Sequence, residues 1–123
     1  MFSYLIGRLR SFGHACRGLT LLVRTQHNAR IHALATIAVV IAGMLFRISP
    51  AEWALVALAV SCVWAAEGLN TSVELLVDLV SPNHHPLAAK AKDIAAGAVL
   101  IAAAGSVIVA VVVFGPHFWN LLR

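Results

Sequence analysis

Charge is scarce in this chain. Of 123 residues, five are Asp or Glu and nine are Lys or Arg, so charged residues make up 11% of the whole, against about a quarter in an average soluble domain. That shortage excludes an ordinary water-exposed globular surface and leaves each carboxylate to be accounted for singly. Cysteine is nearly absent too. Cys16 and Cys62 rule out a disulfide framework and have no metal-ligand spacing, and Cys62 falls within an apolar run, so both are read as structural thiols. The adjacent His84 and His85 point in different directions with no third ligand spaced to help, which argues against zinc. Neither a GxxxxGKS/T loop nor the Gly-rich loop and HRD of protein kinases occurs, which removes two nucleotide-using classes. No secretory leader is expected, because Arg8, Arg10, Arg17, Arg24 and Arg30 interrupt the start of the chain and with it any apolar leader core.

Apolar sequence is what the chain has in quantity, at 61%, and it comes in blocks. Residues 31–48, 53–70 and 94–114 are each close to the roughly 17–25 residues that cross a hydrocarbon core. The second block runs on as helix towards Val80. One all-α membrane domain over 1–123 is therefore expected. It comprises an interfacial helix over 1–30, spans over 31–48, 53–80 (with a cytoplasmic extension) and 94–114, and a cytoplasmic loop over 81–93. Five arginines precede the first span, Lys90 and Lys92 lie between the second and third, and Arg47 beside Glu52 is all that the first loop carries. By the positive-inside rule the N-terminus and the second loop face the cytoplasm. Trp53 and Trp119 then both fall at the outer interface.

Leu5, Leu9, Phe12, Cys16, Leu19 and Val23 recur at spacings of four and three, one apolar stripe on a helix. Arg10, Arg17 and Arg24 make a second stripe on its flank. The combination describes a helix lying in the inner interface, apolar side down. Its arginines either attract anionic lipid and fix topology, or reach a polyphosphate ligand.

Against this apolar background one polar face stands out. At about 100° per residue, Glu67, Asn70, Glu74 and Asp78 fall within roughly 80° of one another on a helix. A charge at the bilayer centre costs on the order of 2.5–3.5 kcal/mol even on a lenient scale, so the face marks a polar site. Glu67 lies roughly 21 Å along the helix from Trp53, Glu74 about 10 Å further and near the water boundary, and Asp78 beyond it. The segment SPNHHPLAAKAKD then leads into the third span. Pro86 suits a first helical turn, and a helix start beside Lys92 is a phosphate site. Asp93 is placed to hold Lys92 or a metal, and Asn83, His84 and His85 overhang the same entrance. Phosphoryl transfer needs a metal carboxylate, a cation and a base, and Glu74, Lys92 and Glu67 match those three parts. The spacing alone leaves a second class open, because transporters also carry polar intramembrane faces.

The stretch EGLNTSVELLVDLVSPNHHPLAAKAKDIAAGAVLIAA, residues 67–103, strongly resembles the signature of the prokaryotic diacylglycerol kinase and undecaprenol kinase family. That pattern is close to E-x-L-N-T/S-x-x-E-x-x-V-D, then H, then A-K-D before a small-residue helix. The amphipathic N-terminus, the NARIH stretch and the three-span layout extend the likeness to nearly the full length. The resemblance implies a small lipid kinase of the bacterial inner membrane. Such kinases form homotrimers with active sites at subunit boundaries and use ATP and Mg²⁺ to phosphorylate a lipid hydroxyl. By motif position it implies Glu67 as general base, and Glu74 as metal carboxylate and ATP-site residue. Asn70, Lys92 and Asp93 stand at family ATP-site positions, Asn83 to His85 in the segment over the nucleotide, and His14 where an aromatic contacts it. Arg30 and Ala96 stand with Glu67 on the lipid-acceptor side. One departure is Gln26, which occupies the place of a second metal-binding glutamate and brings no charge.

Within the family the wording DLVSP and HPLAAKAKDIAAGAVL tilts towards undecaprenol over diacylglycerol. Two other readings remain at this point: a small proton-coupled transporter using Glu67, and an inactive scaffold for which Gln26 is the one hint. Three spans cannot shield Glu67, Asn70 and Glu74 from lipid on every side, so a neighbouring copy is expected over them. Ala98, Ala102, Ser106 and Ala110 form a small-residue ladder that suits either packing between copies or packing within one chain.

Overall fold

A computed structural model describes the backbone of residues 1–123 and all side chains except those of Phe2, Ser3 and Leu5. The Leu5 position of the apolar stripe thus lies outside the described side chains. The chain is all helical: α1 (Phe2–Thr25), α2 (His27–Phe46), α3 (Pro50–Val80) and α4 (Pro86–Leu121). Of these, α2, α3 and α4 are long and apolar enough to cross a membrane.

Each junction has a local cause. Gln26 alone separates α1 from α2, in an extended conformation (φ −101°, ψ 124°). Its N–H still donates to Leu22 O at 2.9 Å and its carbonyl accepts from Arg30 N at 3.4 Å, so the helical ladder bends with little loss. The Arg30 guanidinium reinforces the bend by donating to Val23 O (3.1 Å) and Arg24 O (2.5 Å), carbonyls that the end of α1 leaves without helical partners.

The α2–α3 turn is tighter. Arg47 is left-handed (φ 51°), Ile48 N–H reaches Gly43 O and Arg47 N–H reaches Met44 O, the paired bonds of a Schellman stop. Ser49 then opens α3 with a capping box: its Oγ accepts from Glu52 N–H (3.3 Å) and Glu52 Oε2 accepts from Ser49 N–H (2.7 Å). Pro50 sits at the first helical position, where its missing N–H is not needed. At the far end, His85 caps α4 by accepting the Leu87 N–H on Nδ1 at 3.2 Å, with Pro86 again first in the helix. Helix therefore begins at Pro86, as suits a proline there, so Lys90, Lys92 and Asp93 of the expected 81–93 loop segment stand on α4. α4 also continues past Phe114 and through Pro116. A proline so near a helix end breaks few bonds.

α3 and α4 form the most extensive pair, with α2 against α3, while α1 rests lightly on α2 and α3. The core is small and lies near the α2–α3 turn. Ile48, Val56, Val113 and Phe114 are buried there, ringed by Val39, Phe46 and Trp53. Phe46 meets Phe114 and Phe118 (ring centroids 6.2 and 4.8 Å), and His117 Nε2 lies 3.1 Å from Glu52 Oε1. Most other apolar side chains, among them Leu34, Leu45, Leu100 and Ile101, are exposed in the single chain. Ser106 and Ala110 of the small-residue ladder line a cavity between α2, α3 and α4, so that part of the ladder packs within the chain, whereas Ala98 is exposed.

Candidate active site

The polar face of α3 is the site's backbone. Glu67, Asn70 and Thr71 are the buried polar residues of the chain among those described, at 1%, 7% and 7% exposure. Helical spacing puts positions 67, 70, 71 and 74 on one side within two turns. Three atoms on this face, Glu67 Oε2, Asn70 Oδ1 and Thr71 Oγ1, are buried without a hydrogen-bond partner. Native interiors rarely leave such groups unpaired, so their clustering on one face marks a place built to receive something. Asn70 is anchored at its other end: Nδ2 donates to Glu74 Oε1 at 3.3 Å. That bond turns Oδ1 away from Glu74 and presents two oxygen donors, one amide and one carboxylate, a single turn apart.

Burial falls off along the face. Glu67 is enclosed, Glu74 is half-buried, and Asp78 is exposed. Asp78 meets Lys92 of α4, with Nζ 2.5 Å from Oδ1. Of the two roles expected for Asp93, holding Lys92 or a metal, the first falls to Asp78 instead, because the register in which α4 crosses α3 brings Asp78 to the lysine. Asp93 is exposed and makes no ion pair among the described residues.

The remaining expected positions are scattered around this axis. Asn83 lies in the short link before α4, its carbonyl accepting from Ser81 Oγ (3.1 Å), next to the capping His85. Gln26 lines a groove between α1 and α3 together with Gly68, Thr71 and Ser72, which puts it beside the polar face. Arg30 spends its guanidinium on the carbonyls that end α1. His14 is exposed on α1 with Nδ1 3.0 Å from Arg17 Nη2, and no hydrogen bond ties it to α3 or α4. Ala96 is exposed on α4. The single chain therefore assembles Glu67, Asn70, Glu74, Gln26 and the Asp78–Lys92 pair on or beside one face, and leaves His14 and Ala96 apart.

One residue escaped the sequence reading. His32 of α2 places Nε2 3.9 Å from Glu67 Oε2. Its signal was available: an ionisable side chain inside an apolar span is a functional flag in its own right. No group of three or more His, Cys, Asp or Glu is disposed to hold a metal among the described residues.

Comparison with known proteins supplies a family. The family profile of the prokaryotic diacylglycerol kinases matches residues 13–114. The undecaprenol kinase of Bacillus subtilis (strain 168) is 44% identical over 107 residues, covering 87% of each chain. The diacylglycerol kinase of Synechocystis sp. is 41% identical over 115 residues, 93% of this chain and 66% of that one. The diacylglycerol kinase of Escherichia coli (strain K12) is 26% identical over 110 residues, 89% of this chain and 90% of that one. With a profile match over most of its length and two relatives above 40% identity, the chain belongs to the prokaryotic diacylglycerol kinase family.

Proposed function

We propose that this protein is an ATP-dependent lipid kinase that transfers the γ-phosphoryl group of MgATP to the hydroxyl of a membrane lipid alcohol, undecaprenol or diacylglycerol. Undecaprenol is the first acceptor to test, because the Bacillus subtilis undecaprenol kinase shares 44% identity over 87% of each chain. The observation that carries the reading is the burial of Glu67 one turn from the Asn70–Glu74 pair, on a helix of membrane-crossing length.

In this reading Glu67 accepts the proton of the lipid hydroxyl. The oxygen so freed bonds to the γ-phosphorus as the bond to the β-phosphate oxygen breaks and ADP leaves. A base in a water-poor site works on a hydroxyl that arrives from the bilayer. Lys92 supplies positive charge at the phosphates, with Asp78 holding its ammonium in place until nucleotide arrives. Asp93, Asn83 and His85 sit at the same end of α4 and frame the nucleotide, with His14 and a second subunit completing it.

The residues present fit Mg²⁺: Glu74 and the unpartnered Asn70 Oδ1 are hard oxygen donors one turn apart, and Gln26 brings a third oxygen to the neighbouring groove. Magnesium is usually held by one or two carboxylates plus substrate phosphates, so a larger acidic cluster is not required. Bound there, it would offset charge on the β- and γ-phosphates.

In this reading the protein resides in a bacterial inner membrane as a homotrimer, with the N-terminus and the link around Asn83 cytoplasmic and α1 in the interface. Contrary to the expectation from sequence, the single chain by itself buries Glu67 and Asn70, so a neighbouring copy is called for only at the more open Glu74 and Asp78 end of the face. The test is a labelled-ATP assay on detergent-purified protein with undecaprenol, diacylglycerol and a short-chain monoacylglycerol. Phosphorylation of at least one acceptor is expected, lost by about 10²–10⁴-fold in Glu67→Gln. Full activity in Glu67→Gln sinks the base assignment.

A further inference from the structure

Glu67 Oε2 is the most enclosed carboxylate oxygen among the described residues, with the residue 1% exposed and that oxygen without a hydrogen-bond partner. Buried polar atoms in native structures are rarely left without a hydrogen-bond partner. Among the described basic side chains the one within 4 Å of it is the imidazole of His32, whose Nε2 lies 3.9 Å away. That is just outside hydrogen-bond range.

The placement of His32 is itself fixed by a short chain of bonds between two helices. Thr36 Oγ1 donates to His32 O at 2.7 Å, and Trp64 Nε1 donates to Thr36 Oγ1 at 3.1 Å. Trp64 stands one turn before Glu67 on α3. The turn of α2 that carries His32 is thereby registered against the turn of α3 that carries Glu67. The Trp64–Thr36 bond is the side-chain hydrogen bond that joins α2 to α3 among the described residues, and it lies one turn from both His32 and Glu67. His32 also lines the cavity between α2, α3 and α4, about 240 Å³ in volume.

We infer that His32 is a positioning residue for Glu67: its Nε2–H engages Oε2, fixes the carboxylate plane, and leaves Oε1 as the oxygen that meets the lipid hydroxyl. This rests on Glu67 being the base. A partner one step removed from the reacting atoms is worth about 10–100-fold in activity, and the loss falls on turnover, since nucleotide contacts lie at the other end of the face.

The experiment compares His32→Ala, His32→Gln and Glu67→Gln in the labelled-ATP assay. His32→Ala is expected to lower kcat by about 10–100-fold with KM for MgATP unchanged. His32→Gln, whose amide N–H reaches about as far, is expected to recover most of that. Because His32 borders a cavity, imidazole added to His32→Ala is expected to enter and raise turnover. The inference is overturned if His32→Ala keeps its kcat, if the loss appears in KM for MgATP, or if neither glutamine nor imidazole restores turnover. Should His32→Ala fail to fold, His32→Gln at parental kcat supports the inference and at full loss overturns it. If Glu67→Gln is inactive while His32→Ala is not, the inference alone has failed; if Glu67→Gln is active, the base assignment has failed with it.

Discussion

Lys92 offers a test in which magnitudes separate a functional role from a structural one. Its ammonium bridges to Asp78 across α3 and α4 at 2.5 Å, but the two side chains are 39% and 65% exposed. An ion pair that open to water contributes about 0–1 kcal/mol to stability. If holding two helices together is all Lys92 does, then Lys92→Met and Asp78→Asn remove the same small quantity. Both variants then lose little, and the double variant loses no more than either single one. If instead Lys92 neutralises transferring phosphate, removing it costs about 2.7–4 kcal/mol of transition-state stabilisation, or 10²–10³-fold in kcat/KM for MgATP. Asp78→Asn, which frees the lysine without removing it, then changes activity only a few-fold. The assay is kcat/KM for MgATP at saturating lipid acceptor, beside thermal unfolding in the same detergent. Equal impairment of Lys92→Met and Asp78→Asn would refute the phosphate role, since the pair would then be acting as a unit.

Three further outcomes are expected. Gln26→Glu adds a charged oxygen donor beside the polar face and should lower the Mg²⁺ concentration for half-maximal activity by about tenfold, ~1.4 kcal/mol; an unchanged Mg²⁺ titration places position 26 away from the metal. Gly43→Ala puts a Cβ 2.6 Å from Trp53 Cη2 and 3.1 Å from Ile48 Cδ1, so the α2–α3 turn must open. A loss of about 1–3 kcal/mol is expected, read as a lowered unfolding midpoint, and a parental midpoint counts against this packing. Arg47→Gly removes a side chain from a left-handed residue (φ 51°) and should stabilise by about 1 kcal/mol, with a higher midpoint in the same measurement.

How much of this was legible in the sequence follows from the range of each interaction. Three membrane-length helices could be read because long apolar runs need no partner to identify them. The polar face on α3 was equally plain, since charges in such a run are costly wherever the other helices go. The capping box at Ser49 and the Pro86 helix start are local and follow from residue type. The lone break at Gln26 was not legible, because no glycine or proline marks it and Arg30 stabilises it from four residues away. Lys92 was matched to Asp93, its neighbour in sequence, while its partner in space is Asp78 on another helix. Sequence proximity cannot supply the register of α4 on α3. His32 entered only as part of the NARIH stretch, because nothing in the sequence shows that α2 packs it against Glu67 of α3.

The separation of Glu67 from Glu74 explains why two carboxylates on one face are compatible with one reaction. Seven residues of helix span about 10 Å, too far for both to act on one atom. A base needs ~2.7 Å to a hydroxyl oxygen, and that oxygen stands ~3–3.5 Å from the phosphorus it attacks. The remainder of the interval accommodates the phosphoryl group and its contacts with Asn70 and Glu74. The burial gradient fits the same division: the enclosed end suits an oily acceptor, and the half-exposed end suits a charged nucleotide. On this argument Asn70 links the two ends of the face, because its amide is tied to Glu74 while its oxygen is buried without a partner. Moving either carboxylate by one helical turn would close or overstretch that gap, so under the proposed reaction the seven-residue spacing matters more than either acid alone.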